Sequence, residues 1–297
     1  MRVLVFGAGA IGSFLGGLLS FRHDVVLIGR QEHVDAIREH GLRITGKTSR
    51  ISRPEAATRV PRGAKSDLVI VATKAYDTPT AMTQLRPLAK GSLFLTLQNG
   101  LDNPEIIARS ASKVVAGTTA HGVTFLGPGE IRHAGIGETV IGAWRGVAEP
   151  ELVRLRDLLE DAGIPTRVTS DVGTELWAKV LVNASINPVA ALAGLPNGRL
   201  VRDKRLLATL DAVCREAAAV ARAEGAKINP TEVVHRTLVI ARRTAANRAS
   251  MLQDLDRGRR TEIDAITGAI LRAADRRNLP VPLNRLLYAL VKAREGP

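Results

Sequence analysis

Six residues near the beginning of the chain, Gly7-Ala8-Gly9-Ala10-Ile11-Gly12, restrict its fold more than any other feature. They follow an apolar run, Val3-Leu4-Val5-Phe6, and open a helical pattern, after which a second apolar run appears at Val25-Val26-Leu27-Ile28. The spacing alone is weak. With 27 glycines in 297 residues, G-x-G-x-x-G arises by chance about 0.2 times per chain, so the flanking pattern must carry the reading. Between a strand and a helix, each glycine has a task. The first permits a tight turn, the second lets backbone approach a diphosphate, and the third lets the helix pack on the strand. The helix that follows offers free N–H groups and the positive end of its dipole to an anion.

Three more apolar runs follow in the first half: Leu68–Val71, Leu93–Leu97 and the neighbourhood of Val114-Val115. They are continuous rather than alternating, as expected of strands covered on both faces. Interleaved with helical patterns, they predict a parallel, doubly wound sheet of the Rossmann type. Between Ile131 and Ile141, glycines at 127, 129, 135, 137 and 142 punctuate short segments and suggest a small antiparallel addition. Glu151–Ala162 reads as a helix with Leu152, Leu155, Leu158 and Leu159 on one face. From Asp171 onward the β-runs stop. Helices are expected over Thr174–Ile186, Asp203–Glu224, Thr231–Leu255, Glu262–Arg277 and Asn284–Arg294, with stops at Pro188, Gly225, Gly258 and Pro280. The expected class is α/β, with a sheet domain over residues 1–170 and an all-helical domain over residues 171–297.

Open α/β sheets bind ligands beyond the carboxyl ends of their strands. The second strand ends in Ile28-Gly29-Arg30. It lacks the carboxylate that would hold a ribose 2′-hydroxyl and supplies a guanidinium suited to a 2′-phosphate, which predicts NADPH/NADP+ as the cofactor. Lys74 and Asn99 follow the third and fourth apolar runs and are expected to face the crevice that holds Gly7. In the helical half, Lys179, Asn183 and Asn187 recur at i, i+4 and i+8 among Trp177, Val180, Leu181, Val182, Ala184 and Ile186. A surface helix ordinarily carries a broad charged face. A lysine in a narrow amide stripe within an apolar cleft should have a lowered pKa, as a proton donor near neutral pH requires. Glu262 is expected in the first turn of a helix, where a dipole role is the alternative reading.

Composition tests other functions. The formal charge of +13 and pI of about 10.7 raise nucleic acid or an anionic membrane as partners. The basic residues are scattered, however, and 3% aromatic content supplies too few rings for base stacking. One cysteine, Cys214, excludes a disulfide framework and points to a reducing, cytoplasmic compartment. The six histidines show no i, i+4 pair, so no metal site is expected. Val3–Phe21 is uncharged and imitates a signal segment, but its glycine spacing has the other explanation above. No other stretch is expected to reach the ~20 apolar residues of a membrane span.

Longer motifs narrow the reading. GAGAIG at 7–12, ATKAYDT at 72–78, QNGLDN at 98–103, GTTAHG at 117–122, WAKVLVNASINPVAAL at 177–192, LPNG at 195–198 and SMLQDLDRGRRTEIDAITGAI at 250–270 together resemble the 2-dehydropantoate 2-reductase (ketopantoate reductase) family over essentially the whole chain. The resemblance implies NADPH-dependent reduction of the 2-keto group of 2-dehydropantoate to (R)-pantoate, on the pantothenate route to coenzyme A. It implies Lys179 as proton donor, with Glu262 beside it in the catalytic set. Asn99, Asn183, Asn187, Asn197 and Ser250 match substrate contacts. Gly7–Gly12, Arg30, Lys74, Asn99, the backbone at Val123, and Glu262 match cofactor contacts. The partner is then a small 2-keto acid, with no nucleic acid or membrane, and the protein is a monomer or homodimer. The alternatives are a relative acting on a different 2-keto acid and a non-catalytic NADPH-binding regulator.

Overall fold

The structure, a computed structural model, describes residues 1–295 and divides into two compact units. The first comprises Met1–Gln98 and Asn103–Val172; the second comprises Asn99–Asp102 and Gly173 onward.

The first unit holds all the strands found among the described residues. In chain order it runs β1 (Arg2–Phe6), α1 (Ala10–Leu19), β2 (Asp24–Ile28), α2 (Gln31–His40), β3 (Leu42–Gly46), β4 (Arg50–Ser52), β5 (Glu55–Ala57), β6 (Leu68–Val71), α3 (Thr78–Leu85) and β7 (Leu93–Thr96). It continues with α4 (Asn103–Ala108), β8 (Lys113–Thr119), β9 (Gly122–Gly127), β10 (Glu130–Gly135), β11 (Thr139–Arg145), α5 (Glu149–Asp161) and β12 (Thr166–Val168). An eight-stranded sheet has the order β12-β11-β8-β7-β6-β1-β2-β5, parallel throughout except where β11 meets β8. The five apolar runs of the first half supply its centre. Successive side chains of β1 take opposite faces: Val3 and Val5 join one core with Phe14 and Leu15, while Leu4 and Phe6 join another with Met82, Leu85 and Ile107. That is why the runs are continuous.

A second, four-stranded sheet has the order β4-β3-β10-β9 and lies outside the five-strand expectation. The glycine-punctuated stretch divides between the two sheets. β10 pairs antiparallel with β9 and parallel with β3, whereas β11 joins the large sheet. Residues 42–57, which carry β3, β4 and β5, showed no apolar run because these strands are short and partly exposed.

The second unit contains α6 (Val172–Ala193) from its second residue onward, α7 (Asn197–Leu200), α8 (Lys204–Ala223), α9 (Pro230–Arg243), α10 (Ser250–Asp256), α11 (Thr267–Arg276) and α12 (Pro282–Glu295). Its core gathers Leu181, Ala184, Leu210, Val213, Ala217, Ile263 and Ile270, among others. Three expectations are corrected. Pro188 does not stop α6; it lies inside the helix, which ends at Gly194 in the left-handed region, φ +67°. The helix expected over Thr231–Leu255 is two, α9 and α10. The carbonyls of Ala245 and Asn247 leave the helical ladder to accept from the N–H groups of Gly198 and Asn197. Glu262 is not in the first turn of a helix. The Thr261 hydroxyl accepts from Ile263 N–H, the segment bends, and α11 begins at Thr267.

One helix, α6, is long and apolar enough to cross a membrane by length and composition, contrary to the expectation that none outside Val3–Phe21 would be. Of its most apolar window, 72% is buried inside the protein, as in a core helix.

Candidate active site

The turn after β1 has the geometry its glycines predict. Gly7 takes φ +109°, and a Cβ there would meet the Thr73 backbone nitrogen at 2.6 Å. A Cβ on Gly12 would come within 2.0 Å of the Gly7 carbonyl, so only glycine lets α1 start this close to β1. Gly7 and Ala8 both donate to the Ile28 carbonyl, which locks the turn to the end of β2. Gly9 differs from its neighbours: a Cβ there would meet nothing within 4 Å. It is also the N-cap of α1 and offers no side chain to the free N–H groups of Ala10 and Ile11. An open cradle beside uncapped N–H groups fits a diphosphate.

Arg30 is the N-cap of α2 and is exposed. Lys74 follows β6, half-buried, at the start of a single 3-10 turn over Ala75–Asp77. Gln98, which the sequence reading passed over, organises this region. Its amide nitrogen donates to the Thr73 carbonyl at 2.8 Å and to the Thr78 hydroxyl at 2.9 Å, and its oxygen accepts from Thr96. It thereby ties the loop that carries Lys74 to the end of β7. Val123 lies in β9 opposite His133, and its side chain packs on the core.

In the second unit, Asn99 is the junction. Its Nδ2 donates to Glu262 Oε2 at 3.0 Å, and its Oδ1 accepts from Asn183 Nδ2 at 3.4 Å. Lys74 and Asn99, expected at one crevice, thus belong to different units. Glu262 is buried, 8% exposed. Lys179 lies one turn before Asn183 on α6 and is half-buried. Burial pushes its ammonium down from the usual 10.5 to about 8; the Glu262 carboxylate opposes that shift and the Arg236 guanidinium adds to it. Asn187, the third member of the stripe, is buried.

Asn197 opens α7 and is 8% exposed. Its Nδ2 donates to the Thr244 hydroxyl at 2.9 Å and its N–H to the Asn247 carbonyl at 3.0 Å. Its Oδ1 is buried and accepts no hydrogen bond within the protein, so it can receive a donor from a ligand. Ser250 is exposed at the start of α10. The supporting roles of Thr244 and Arg236 carried no sequence signal, because both lie on α9 or its end, far along the chain from the groups they act on. Gln98 was within reach, since it directly follows a strand of the parallel sheet.

Two family models match the chain: "Ketopantoate reductase PanE/ApbA" over residues 3–146 and "Ketopantoate reductase PanE/ApbA C terminal" over residues 171–295. The chain belongs to the ketopantoate reductase family. It is 41% identical to a 2-dehydropantoate 2-reductase of Halobacterium salinarum, over 98% of each chain. It is 39% identical to one of Pyrococcus horikoshii, over 100% of this chain and 98% of the relative. Among solved structures, a PanE/ApbA family ketopantoate reductase from Ralstonia eutropha JMP134 superposes with a TM-score of 0.91 at 36% identity, over 99% and 98% of the two chains. D-mandelate dehydrogenase, in a ternary complex with NADH and anilino(oxo)acetate, superposes with a TM-score of 0.95 at 26% identity, over 99% and 98%. The family's fold is therefore shared by enzymes with different 2-keto or 2-hydroxy acid ligands.

Proposed function

We propose that this chain reduces 2-dehydropantoate to (R)-pantoate with NADPH. The observation that carries the reading is the Asn183–Asn99–Glu262 chain of hydrogen bonds beside a lysine whose pKa is lowered to about 8. Full-length relatives named 2-dehydropantoate 2-reductase support the choice of substrate.

On this reading Gly7, Ala8, Gly9, Ala10, Ile11 and Gly12 hold the diphosphate, Arg30 takes the 2′-phosphate, and Lys74, Asn99, the Val123 backbone and Glu262 complete the cofactor contacts. When bound, the reduced nicotinamide supplies the hydride. Lys179, in its ammonium form, stabilises the negative charge that develops on the keto oxygen and delivers the proton from Nζ. Glu262 favours that ammonium form and holds Asn99 in register through its carboxylate. The amides of Asn99, Asn183 and Asn187 orient the substrate without adding charge. Asn197 offers its open Oδ1 as acceptor for a substrate hydroxyl, with Ser250 as a further polar contact. A keto acid without that hydroxyl leaves the buried acceptor unsatisfied, at a cost of about 1–3 kcal/mol. We place the protein in the cytoplasm, where a buried free thiol at Cys214 stays reduced.

The test is NADPH oxidation across a panel of 2-keto acids, including 2-dehydropantoate, its dehydroxy analogue and phenylglyoxylate. The highest kcat/KM is expected for 2-dehydropantoate, and Lys179→Ala should lower kcat by roughly 100-fold. Preference for phenylglyoxylate would transfer the assignment to the mandelate-type reaction. Turnover untouched in Lys179→Ala would remove the lysine from the mechanism.

A further inference from the structure

Arg30 has a counterpart on the neighbouring strand. β5 is the edge of the large sheet and runs parallel to β2, with Val26 opposite Glu55, Leu27 opposite Ala56 and Ile28 opposite Ala57. Beyond that register, Gly29 N–H donates to the Ala57 carbonyl at 3.0 Å, which extends the pairing by one step. Arg30 lies two residues past Ile28, and Arg59 lies two residues past Ala57. Parallel strands are about 4.8 Å apart. Arg30 and Arg59 therefore follow neighbouring parallel strands at the carboxyl edge of the sheet. The loop after β5 is tied down as well, because Val60 packs against the core on that face of the sheet.

The charges are unbalanced at this corner. Arg30 and Arg59 are both exposed, and neither is in an ion pair among the described residues. Of the two carboxylates at the start of α2, Glu32 is exposed in the first turn and forms no ion pair with either arginine among the described residues, and Asp35 accepts from the Gln31 side chain at 2.7 Å. Arg30 also caps α2 without a side-chain hydrogen bond, so the first N–H groups of that ten-residue helix remain open. Two adjacent guanidiniums repel one another unless an anion lies between them. A phosphate dianion has three terminal oxygens, enough for the planar forks of two arginines. A ribose hydroxyl has no charge to offer either of them.

We propose that Arg59 joins Arg30 in a two-arginine clamp on the 2′-phosphate and is a second determinant of the preference for NADPH over NADH. The proposal rests on the NADPH reading above and adds a contact from a different strand. Arg59→Ala leaves Arg30 and the diphosphate turn in place, so its effect belongs to the 2′-phosphate alone.

The test is the Kd of NADPH and of NADH, measured by nicotinamide fluorescence for the full-length wild type and the variants Arg30→Ala, Arg59→Ala, Arg59→Lys and Arg154→Ala. Arg154 is exposed on α5, which packs by β11 and β12 at the opposite edge of the sheet, and its removal subtracts the same charge. Losing one charge-assisted contact to phosphate should weaken NADPH about tenfold in Arg59→Ala, with NADH unchanged. Arg59→Lys should fall between Arg59→Ala and wild type, and Arg154→Ala should match wild type for both cofactors. If Arg30→Ala discriminates between the cofactors and Arg59→Ala does not, the clamp is overturned and the NADPH reading stands. If neither discriminates, both fall. Equal weakening of NADPH by Arg59→Ala and Arg154→Ala would reduce the effect to net charge and overturn the clamp.

Discussion

At the scale of single residues, Lys179 shows how position sets chemistry. An ammonium in water loses its proton near 10.5; on α6, burial removes much of the hydration that stabilises the charge, and the group falls to about 8. Glu262 and Arg236 pull in opposite directions, so the value is a balance among three side chains on separate segments. The direction for catalysis follows. A proton donor works in its protonated form, so kcat should decline as pH rises through about 8, approaching tenfold per pH unit above it. Arg236→Ala removes a repelling charge and should move this limb upward, and a kcat–pH profile from 6 to 10 for the two proteins measures both effects. A wild-type profile flat to pH 10 would take Lys179 out of the proton-donor role. The amide stripe made Lys179 and Asn183 legible in the sequence, because i, i+4 spacing is local. Arg236 was not legible, because nothing local says that α9 brings its charge toward α6.

At the scale of elements, the most telling segment is Asn99–Asp102. It follows a strand of the sheet in sequence yet clusters with the helical unit. The contacts that hold it there include Asn99 with Glu262 and Asn183, Asp102 with Arg272 at 2.6 Å, and Gly100 close against Ala265. Gly100 has φ +99°, and a Cβ would meet the Ala265 carbonyl at 2.7 Å. Gly100→Ala therefore combines backbone strain with a clash. We expect a loss of stability of about 1–3 kcal/mol and a fall in kcat/KM, since Asn99 is displaced from Glu262. Thermal denaturation with steady-state kinetics checks this, and a variant equal to wild type in both would show that the segment's placement does not matter. β1, β2, β6 and β7 were readable because a strand covered on both faces must be continuously apolar. β3, β4 and β5 were not, because three- to five-residue strands at partly exposed positions carry little pattern. Pro188 misled for a different reason. Proline costs a helix one hydrogen bond and crowds one carbonyl, and burial of most of α6 against its own unit outweighs that penalty.

Across the whole molecule, the charge of +13 proves to be spread over many surface positions, and a large share of the arginines lie in exposed ion pairs such as Arg215–Asp211, Arg260–Asp264 and Arg285–Asp275. Exposed pairs of this kind contribute little stability. Three buried histidines of the sheet unit couple folding to pH. His121 and His133 share a hydrogen bond of 3.0 Å and stack near Phe14, while His33 bonds Ser13 and lies by Phe125. Burial lowers all three pKa values, that of His121 to about 4. The unfolded chain thus takes up protons first as pH falls. Their contribution is full above pH 6.5 and is lost as pH falls, for His121 through about 4, and that group alone contributes on the order of 3 kcal/mol. Tm measured from pH 8 to 4 should drop over that window, less steeply in His121→Gln; identical slopes would assign the acid sensitivity to other groups. The sequence by itself determined the α/β class and the glycine turn after β1, because each depends on residues within about one βαβ unit of each other. Tertiary structure alone decided which distant groups meet, such as Asn99 with Glu262, 163 residues apart, and shifted a lysine to about 8. Spacing along a chain encodes local geometry, whereas desolvation and long-range pairing depend on every atom that packs around a site.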